Sequence, residues 1–464
     1  MPPDPSAVRR APVVEVVLAA AALIFFAWLG AITGWKGAPK TAISTAVWPF
    51  YFDTWFPQAV WTWRALAPAA AFALAWWPLR QFAAGDRRPW IFAALVAGAY
   101  AVHLGCGIER HGVERGLSFT FSRGQEYWND VHWVGAGFLA RFPEVGGRLS
   151  QHGATHPPGL VLVLAAIVAL GAKSRVAAEL ACSFACVLAA LPLYGAARRL
   201  TDETTARFAT ILFLFACSVT AFAVLAMDSV TMLLAALALY GLARALDGDA
   251  LGGALWGLAL AAATLCTLTA FTLGLTYAVV IAARWSELRA DRRRWLALAL
   301  GPAAFLGFYG VLALGFGYRP FHVFDFCWRA FAASDDARRS PAIALVGNPV
   351  AFLGSLGLPL TALCARSIAG AARRLARRTE FSTAMATVAL VLAAALPPAV
   401  CTLMGKPRAE VERIYLLFVP PMALAAAACA RRWYARDERW LTWFAAPLLV
   451  AQSILVEIFF ETMW

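Results

Sequence analysis

From Phe208 to about Leu246 the chain runs for nearly 40 largely apolar residues, broken midway by the polar pair Asp228-Ser229. As one straight helix, at 1.5 Å per residue, such a run reaches about 58 Å. The hydrocarbon core of a bilayer is about 30 Å thick. The segment must therefore fold back on itself, with the Asp228 carboxylate at a hairpin tip on the membrane surface. The same ruler places further spans near 14–33, 67–82, 90–107, 178–197, 250–266, 267–284, 295–316, 347–365, 382–404, 413–430 and 441–460, about 13 in all once the long run is read as 206–226 and 229–246. A chain that is 61% hydrophobic and 14% charged over 464 residues is no water-soluble fold. The expectation is an all-α polytopic membrane protein. Residues 14–33, behind Arg9 and Arg10, have 20 apolar positions and no clear small-residue cleavage site, which reads as a retained span and not as a signal peptide.

Orientation follows from where Lys and Arg collect. Arg9 and Arg10, Arg80 with Arg87 and Arg88, Arg198 with Arg199 and Arg207, Arg284 with Arg292 to Arg294, Arg373 and its neighbours, and Arg431 with Arg439 fall on one side of such a topology. That side is read as the cytoplasm of a cell (inner) membrane, with the N-terminus inside. The reading works only if His156–Leu170, an apolar run of about 15 residues, does not cross. It is expected to lie on or dip into the outer leaflet. The division of 250–284 into two spans rests on the same charge rule. The outer segments are then about 34–66, 108–177, 317–346 and 405–412, and they hold five of the six histidines: His111, His132, His152, His156 and His322. In the first, Trp48, Trp55, Trp61 and Trp63 form an aromatic belt of the kind that anchors proteins at the interface.

A net charge of +13 raises the question of nucleic acid, but basic residues scattered over short loops serve topology, and no nucleic-acid partner is expected. The nine cysteines lie almost all inside apolar runs and make neither a metal-ligand spacing nor a disulfide set.

The long outer loop 108–177 carries Glu126-Tyr127-Trp128-Asn129-Asp130. Carboxylates four apart share one face of an α-helix, and like charges beside Trp128 and Trp133 raise at least one pKa, which suits a general base. A solvated polar turn is the plainer alternative. His152 and His156 are also four apart, but Pro157 pushes His156 out of the α region, which argues against a zinc pair on one helix, and no metal site is assigned. Pro157 and Pro158 suit the first turn of the next helix, placing Thr155 and His156 at an N-terminus that favours an anion or is simply capped. Asp228 is either a site acid or the N-cap of the next span. Lys406, Arg408 and Arg413 crowd the last outer segment, where the charge rule expects few cations; they can bind a lipid phosphate, or Arg413 can pair with Glu412. The stretch with Asp325, Arg329, Asp335, Asp336, Arg338 and Arg339 is read as a mobile cover for the site.

On THPPG after an acidic outer loop, the Arg198-Arg199-Leu200 turn, the Asp at the next outer hairpin and the late ERIYLLFVP span, the sequence resembles the C-type fold (GT-C) integral membrane glycosyltransferases over roughly residues 90–430. The resemblance includes protein mannosyltransferases and aminoarabinose transferases. It implies Glu126 or Asp130 as catalytic carboxylate, Asp228 as second acid, and His156 in the active site beside His152 and Tyr127. Lys406, Arg408 and Arg413 would hold the donor phosphate. Its partners are a polyprenyl-phosphate-linked sugar, a glycan, lipid or protein acceptor, and membrane lipids; no cofactor is required, though a divalent cation is compatible. Residues 1–89 then form two additional N-terminal spans with the aromatic loop, 90–430 the catalytic core, and 431–464 a last span. Three departures stand out: two spans precede the usual first one, the first-loop acids are spaced instead of adjacent, and no soluble C-terminal domain is expected to follow. A transporter or flippase for a lipid-linked sugar is the alternative, with charged groups at mid-membrane in repeated halves as its signature; here the charges sit at span ends.

Overall fold

The computed structural model describes residues 63–459 other than 119–120, 122–125, 223–225, 335–336, 338–340, 378–382, 406, 409–410 and 435–437. The expected span at 14–33, most of the aromatic belt and Lys406 lie outside the described residues. What is described is helical, without strands. In chain order the helices used below are α1 Leu66–Ala84, α2 Pro89–His111, α3 Gln151–Thr155, α4 Gly159–Ala169, α5 Arg175–Leu188, α6 Ala190–Leu200, α7 Glu203–Phe215, α8 Asp228–Leu246 and α9 Ala250–Cys266. They continue with α10 Leu273–Ala283, α11 Arg292–Phe316, α12 Pro320–Ala333, α13 Pro341–Leu356, α14 Leu358–Arg377, α15 Thr383–Leu403, α16 Val411–Ile414, α17 Val419–Tyr434 and α18 Ala446–Phe459.

Among the described residues, seven stretches are long and apolar enough to cross a membrane: Pro89–Glu109, Arg175–Leu200, Asp228–Leu246, Arg292–Phe316, Ala386–Leu403, Val411–Arg431 and Trp440–Ile458. Each coincides with an expected span. The protein is an all-α, multi-pass membrane protein. Of the remaining expected spans of the described region, 67–82 is one helix, α1, and the others are broken. The segment 206–226 is α7 followed by a non-helical Ala216 and a π-helical turn at Ser218–Phe222. The stretch 250–284 breaks at an extended Thr267, where the two-span reading divides it. The stretch 347–365 is no single helix, because Gly357 adopts φ 99° between α13 and α14.

α4 has 11 residues, about 16 Å of helix, too short for the hydrocarbon core. Its start is keyed to the end of α9: a Cβ on Gly159 would sit 2.5 Å from the Leu265 carbonyl oxygen. α9 lies between α8 and α11, and Gly253 and Gly257 let it close on the α11 backbone at Ala297 and Gly301, the small-residue contact that membrane helices use where no water drives association. α11 turns apolar side chains outward, Leu314 being 94% exposed. A bilayer, not water, suits that face.

The charges divide between the ends of the bundle. Arg199 pairs with Asp247, Arg198 and Arg207 with Glu203, Arg244 with Asp249, and Arg431 with Asp202. Asp202, Asp249 and Asp291 at the same end cap α7, α9 and α11 by accepting from their first backbone amides. α8, a helix of 19 residues, carries Asp228 at one end and Arg244 near the other, about 24 Å apart along its axis.

Candidate active site

Around Asp228 the chain brings together residues from four distant segments. Glu126 stands in extended backbone just before a 3-10 turn, Tyr127–Trp133, so Glu126 and Asp130 do not share an α-helical face as their spacing suggested. The turn is tight because Trp128, Val131 and Trp133 pack into a buried apolar cluster beneath the loop. The two acids face different partners. Glu126 Oε1 receives a hydrogen bond from Arg413 Nη1 at 2.9 Å and lies 2.8 Å from His152 Nδ1. Asp130 accepts from the Ser150 backbone amide at 2.8 Å and from the Ser150 hydroxyl at 2.6 Å, while the same hydroxyl caps α3 through the Gly153 amide. Asp130 thus braces the start of the helix that carries His152.

Asp228 is not the N-cap of α8; that position is Met227, and Asp228 opens the first turn with its Oδ2 3.6 Å from Arg413 Nε. Arg413, on the one-turn helix α16 that begins the late span, is buried between the two carboxylates. Glu412, the alternative partner for Arg413, is its neighbour on α16, whereas these contacts come from other segments. His156 is extended, with φ −114° and ψ 154°, as Pro157 requires, so His152 and His156 leave one helix and aim from different backbone directions. His156 Nδ1 lies 3.1 Å from the His152 carbonyl oxygen.

Burial works to raise the Glu126 carboxyl, but His152 and Arg413 outweigh it and hold it at about 2. Asp130 moves the other way: desolvation pushes it up despite the two Ser150 bonds. Burial takes His156 down to about 4, with His152 and Arg413 adding to the shift. Burial also raises the Tyr127 phenol, helped by Glu126 and Asp228; its ring lies 6.3 Å from that of His152. Among the described residues, Glu126 Oε2 has no hydrogen-bond partner, so one of its oxygens is uncommitted.

Beside this cluster opens a cavity of about 310 Å³. His152, His156, Arg408 and Arg413 line its polar end, and Phe271, Phe324, Trp328 and Phe331 its apolar wall. Glu126, Asp130, Tyr127 and Asp228 stand behind that lining. Arg408 is fixed by the Gly405 carbonyl at 3.1 Å and by the Ala337 carbonyl, and the Pro407 carbonyl accepts from Asn348 Nδ2 at 2.7 Å. Phe271 comes from the 3-10 turn before α10, and the other three rings of the wall from α12, in the segment read as a cover. Its other side is moored by Phe326, whose ring meets Phe142 edge-on at 5.9 Å and lies where a Cβ on Gly146 would be, 2.2 Å away. Sequence reasoning passed over Ser150 and the wall. Phe324, Trp328 and Phe331 do follow the i, i+4, i+7 period of a helix face, and that was the available signal. Among the described residues, no group of three or more His, Cys, Asp and Glu side chains is placed to hold a metal ion.

Residues 155–312, from the Thr155 of THPPG to α11, match the family model described as dolichyl-phosphate-mannose-protein mannosyltransferase, roughly a third of the chain. No curated protein matches the chain. The matched segment holds His156, the short helix α4 and Asp228, three of the features that carried the sequence resemblance. With an all-helical multi-pass fold around them, this match supports a membrane glycosyltransferase similar to the mannosyltransferases of that family.

Proposed function

We propose that the protein transfers a sugar, a mannosyl group in the first instance, from a polyprenyl-phosphate carrier to an acceptor hydroxyl on the non-cytoplasmic face of the cell membrane. One observation supports this reading above the others: a single cavity joins an aromatic wall to an end lined by Arg408, Arg413, His152 and His156. The wall suits the first isoprene units of a carrier, and paired guanidiniums suit its phosphate. Phosphate is already a good leaving group. The site therefore needs cations where negative charge develops, a group to take the acceptor proton, and a dry enclosure. Arg413 and Arg408 supply the charge, with Lys406 nearby in sequence. Glu126 is the carboxylate at the reaction centre, Asp228 holds Arg413 in place, and Asp130 braces the loop. The separation of Asp228 from the arginine-rich end of α8 supports a site on the face opposite the basic loops.

The test is turnover of radiolabelled mannosyl-phosphoryl-polyprenol by the purified protein in nanodiscs, with glucosyl and arabinosyl carriers alongside. Release of sugar that is lost in Arg413→Ala and Glu126→Ala supports the reading. Movement of intact carrier across vesicles without cleavage would replace it with a flippase.

A further inference from the structure

We propose that His152, held by Glu126, takes the proton from the acceptor hydroxyl, so that the reaction centre is a carboxylate–imidazole pair in place of a lone carboxylate. The inference rests on the reading of the cavity as a glycosyl-transfer site and names the base within it.

Position is the first argument. His152 lies on the cavity wall, whereas Glu126, 1% exposed, lies behind it. An acceptor in the cavity meets the imidazole before the carboxylate. The hydrogen bond is the second. An ionised carboxylate only accepts, so across the 2.8 Å contact to Glu126 Oε1 it is His152 Nδ1 that carries the hydrogen. In the neutral ring Nε2 then holds the lone pair, which makes it the basic atom.

Basicity is the third. Glu126, held well below the usual carboxylate range by His152 and Arg413 against its burial, is a weak base towards a hydroxyl. The same carboxylate stabilises the imidazolium that forms when His152 gains a proton, the division of labour found in Ser-His-Asp sites. Among the described residues, the charged and titratable groups around His152 include Glu126, just before the 3-10 turn, Tyr127 within it, His156 after α3, Arg413 from α16 and, beyond it, Asp228 from α8. Arg413 opposes the imidazolium, but it is shared between Glu126 and Asp228. His156 also lines the cavity, yet its Nδ1 lies against a backbone carbonyl, which offers an imidazolium far less than a carboxylate does.

The step balances. The acceptor O–H gives its proton to His152 Nε2 as its oxygen bonds to the anomeric carbon. The bond from that carbon to the carrier phosphate oxygen breaks, and its electron pair leaves with polyprenyl phosphate, against Arg408 and Arg413. The imidazolium afterwards releases its proton to water.

His152→Asn keeps an N–H for Glu126 but has no basic nitrogen. With mannosyl-phosphoryl-polyprenol as donor and methanol as acceptor, kcat is expected to fall about 10²–10⁴-fold with KM for the donor little changed. The acid limb of the wild-type pH profile should also disappear from the residual rate. A His152→Asn protein that retains the wild-type rate and profile overturns the proposal. If the wild-type protein cleaves none of the carriers, it is the transfer reading that fails. A measurement without substrate decides the pair itself: in ring-¹⁵N-histidine protein, the signal lost in His152→Asn should report Nδ1–H with a bare Nε2 at neutral pH. Its titration point should drop by about one unit or more in Glu126→Gln. The opposite tautomer, or an unmoved titration, overturns the proposal.

Discussion

Arg413 Nη1 lies 2.9 Å from Glu126 Oε1, joining residues 287 positions apart in a buried ion pair at the edge of the cavity. Its guanidinium reaches Asp228 as well. Removing one partner of such a pair strands the other in low dielectric. Arg413→Ala should therefore lower stability by about 3–5 kcal/mol. Because the loss comes from the stranded carboxylates, Glu126→Gln combined with Arg413→Ala should cost less than the sum of the two single changes. Thermal unfolding in nanodiscs reads both; strict additivity would show that the pair is not coupled.

Asp130 and Glu126 should separate under substitution although they are four residues apart. Asp130 holds the Ser150 amide and hydroxyl, so Asp130→Ala should cost about 1–3 kcal/mol of stability. Its effect on sugar transfer below the unfolding temperature should stay under about tenfold, against about 10²-fold or more for Glu126→Ala. Equal losses of activity at matched folding would return Asp130 to the reaction centre.

The His156 imidazole, carried from 6.5 to about 4 chiefly by burial, fixes a pH dependence. Below 6.5 the unfolded chain binds a proton that the folded chain refuses, so the stability His156 contributes is full above 6.5 and is lost as pH falls towards about 4. By pH 4.5 the loss is on the order of 2 kcal/mol, and less where cavity water reaches the ring. His156→Gln should flatten the melting temperature between pH 6.5 and 4.5. An unchanged slope would place the titration elsewhere.

Gly146→Ala tests the mooring of α12. The added methyl meets the Phe326 ring and must displace it, an overpacking that costs about 1–3 kcal/mol. Since the facing side of α12 forms the cavity wall, KM for the carrier lipid should rise severalfold while kcat changes less. A shift in kcat alone would mean that the wall does not bind the carrier.

A reporter inserted after Gly171, at the end of α4, should read as non-cytoplasmic. A cytoplasmic signal there would sink the assignment of α4 to the outer surface.

Much of this was legible in the chain because apolar length is a local property. The span from Pro89 to Glu109 and those after it follow from hydropathy alone, and the arginine clusters required α4 to stay on one side. Glu126, Asp228, His156 and Arg413 were picked out by where they fall between spans. Which acid meets which base was not legible, since the contact of Arg413 with Glu126 depends on how α16 packs against segments nearly three hundred residues earlier. The helix-face reading of Glu126 and Asp130 missed for a physical reason: a 3-10 turn has three residues per turn, so positions four apart point in different directions. Gly357 and Thr267 show the same limit, because a break inside an apolar run leaves its hydropathy unchanged.

The 11 residues of α4 have a consequence for how such a chain can vary. Asp228 and Arg413 meet Glu126 only because the number of crossings between them keeps all three in the same aqueous compartment. Lengthening α4 by about nine apolar residues would give the insertion machinery one more stretch able to cross, inverting everything downstream. The acid and the arginine would then fold on opposite sides of the lipid, and the enzyme would be lost with every one of its site residues intact.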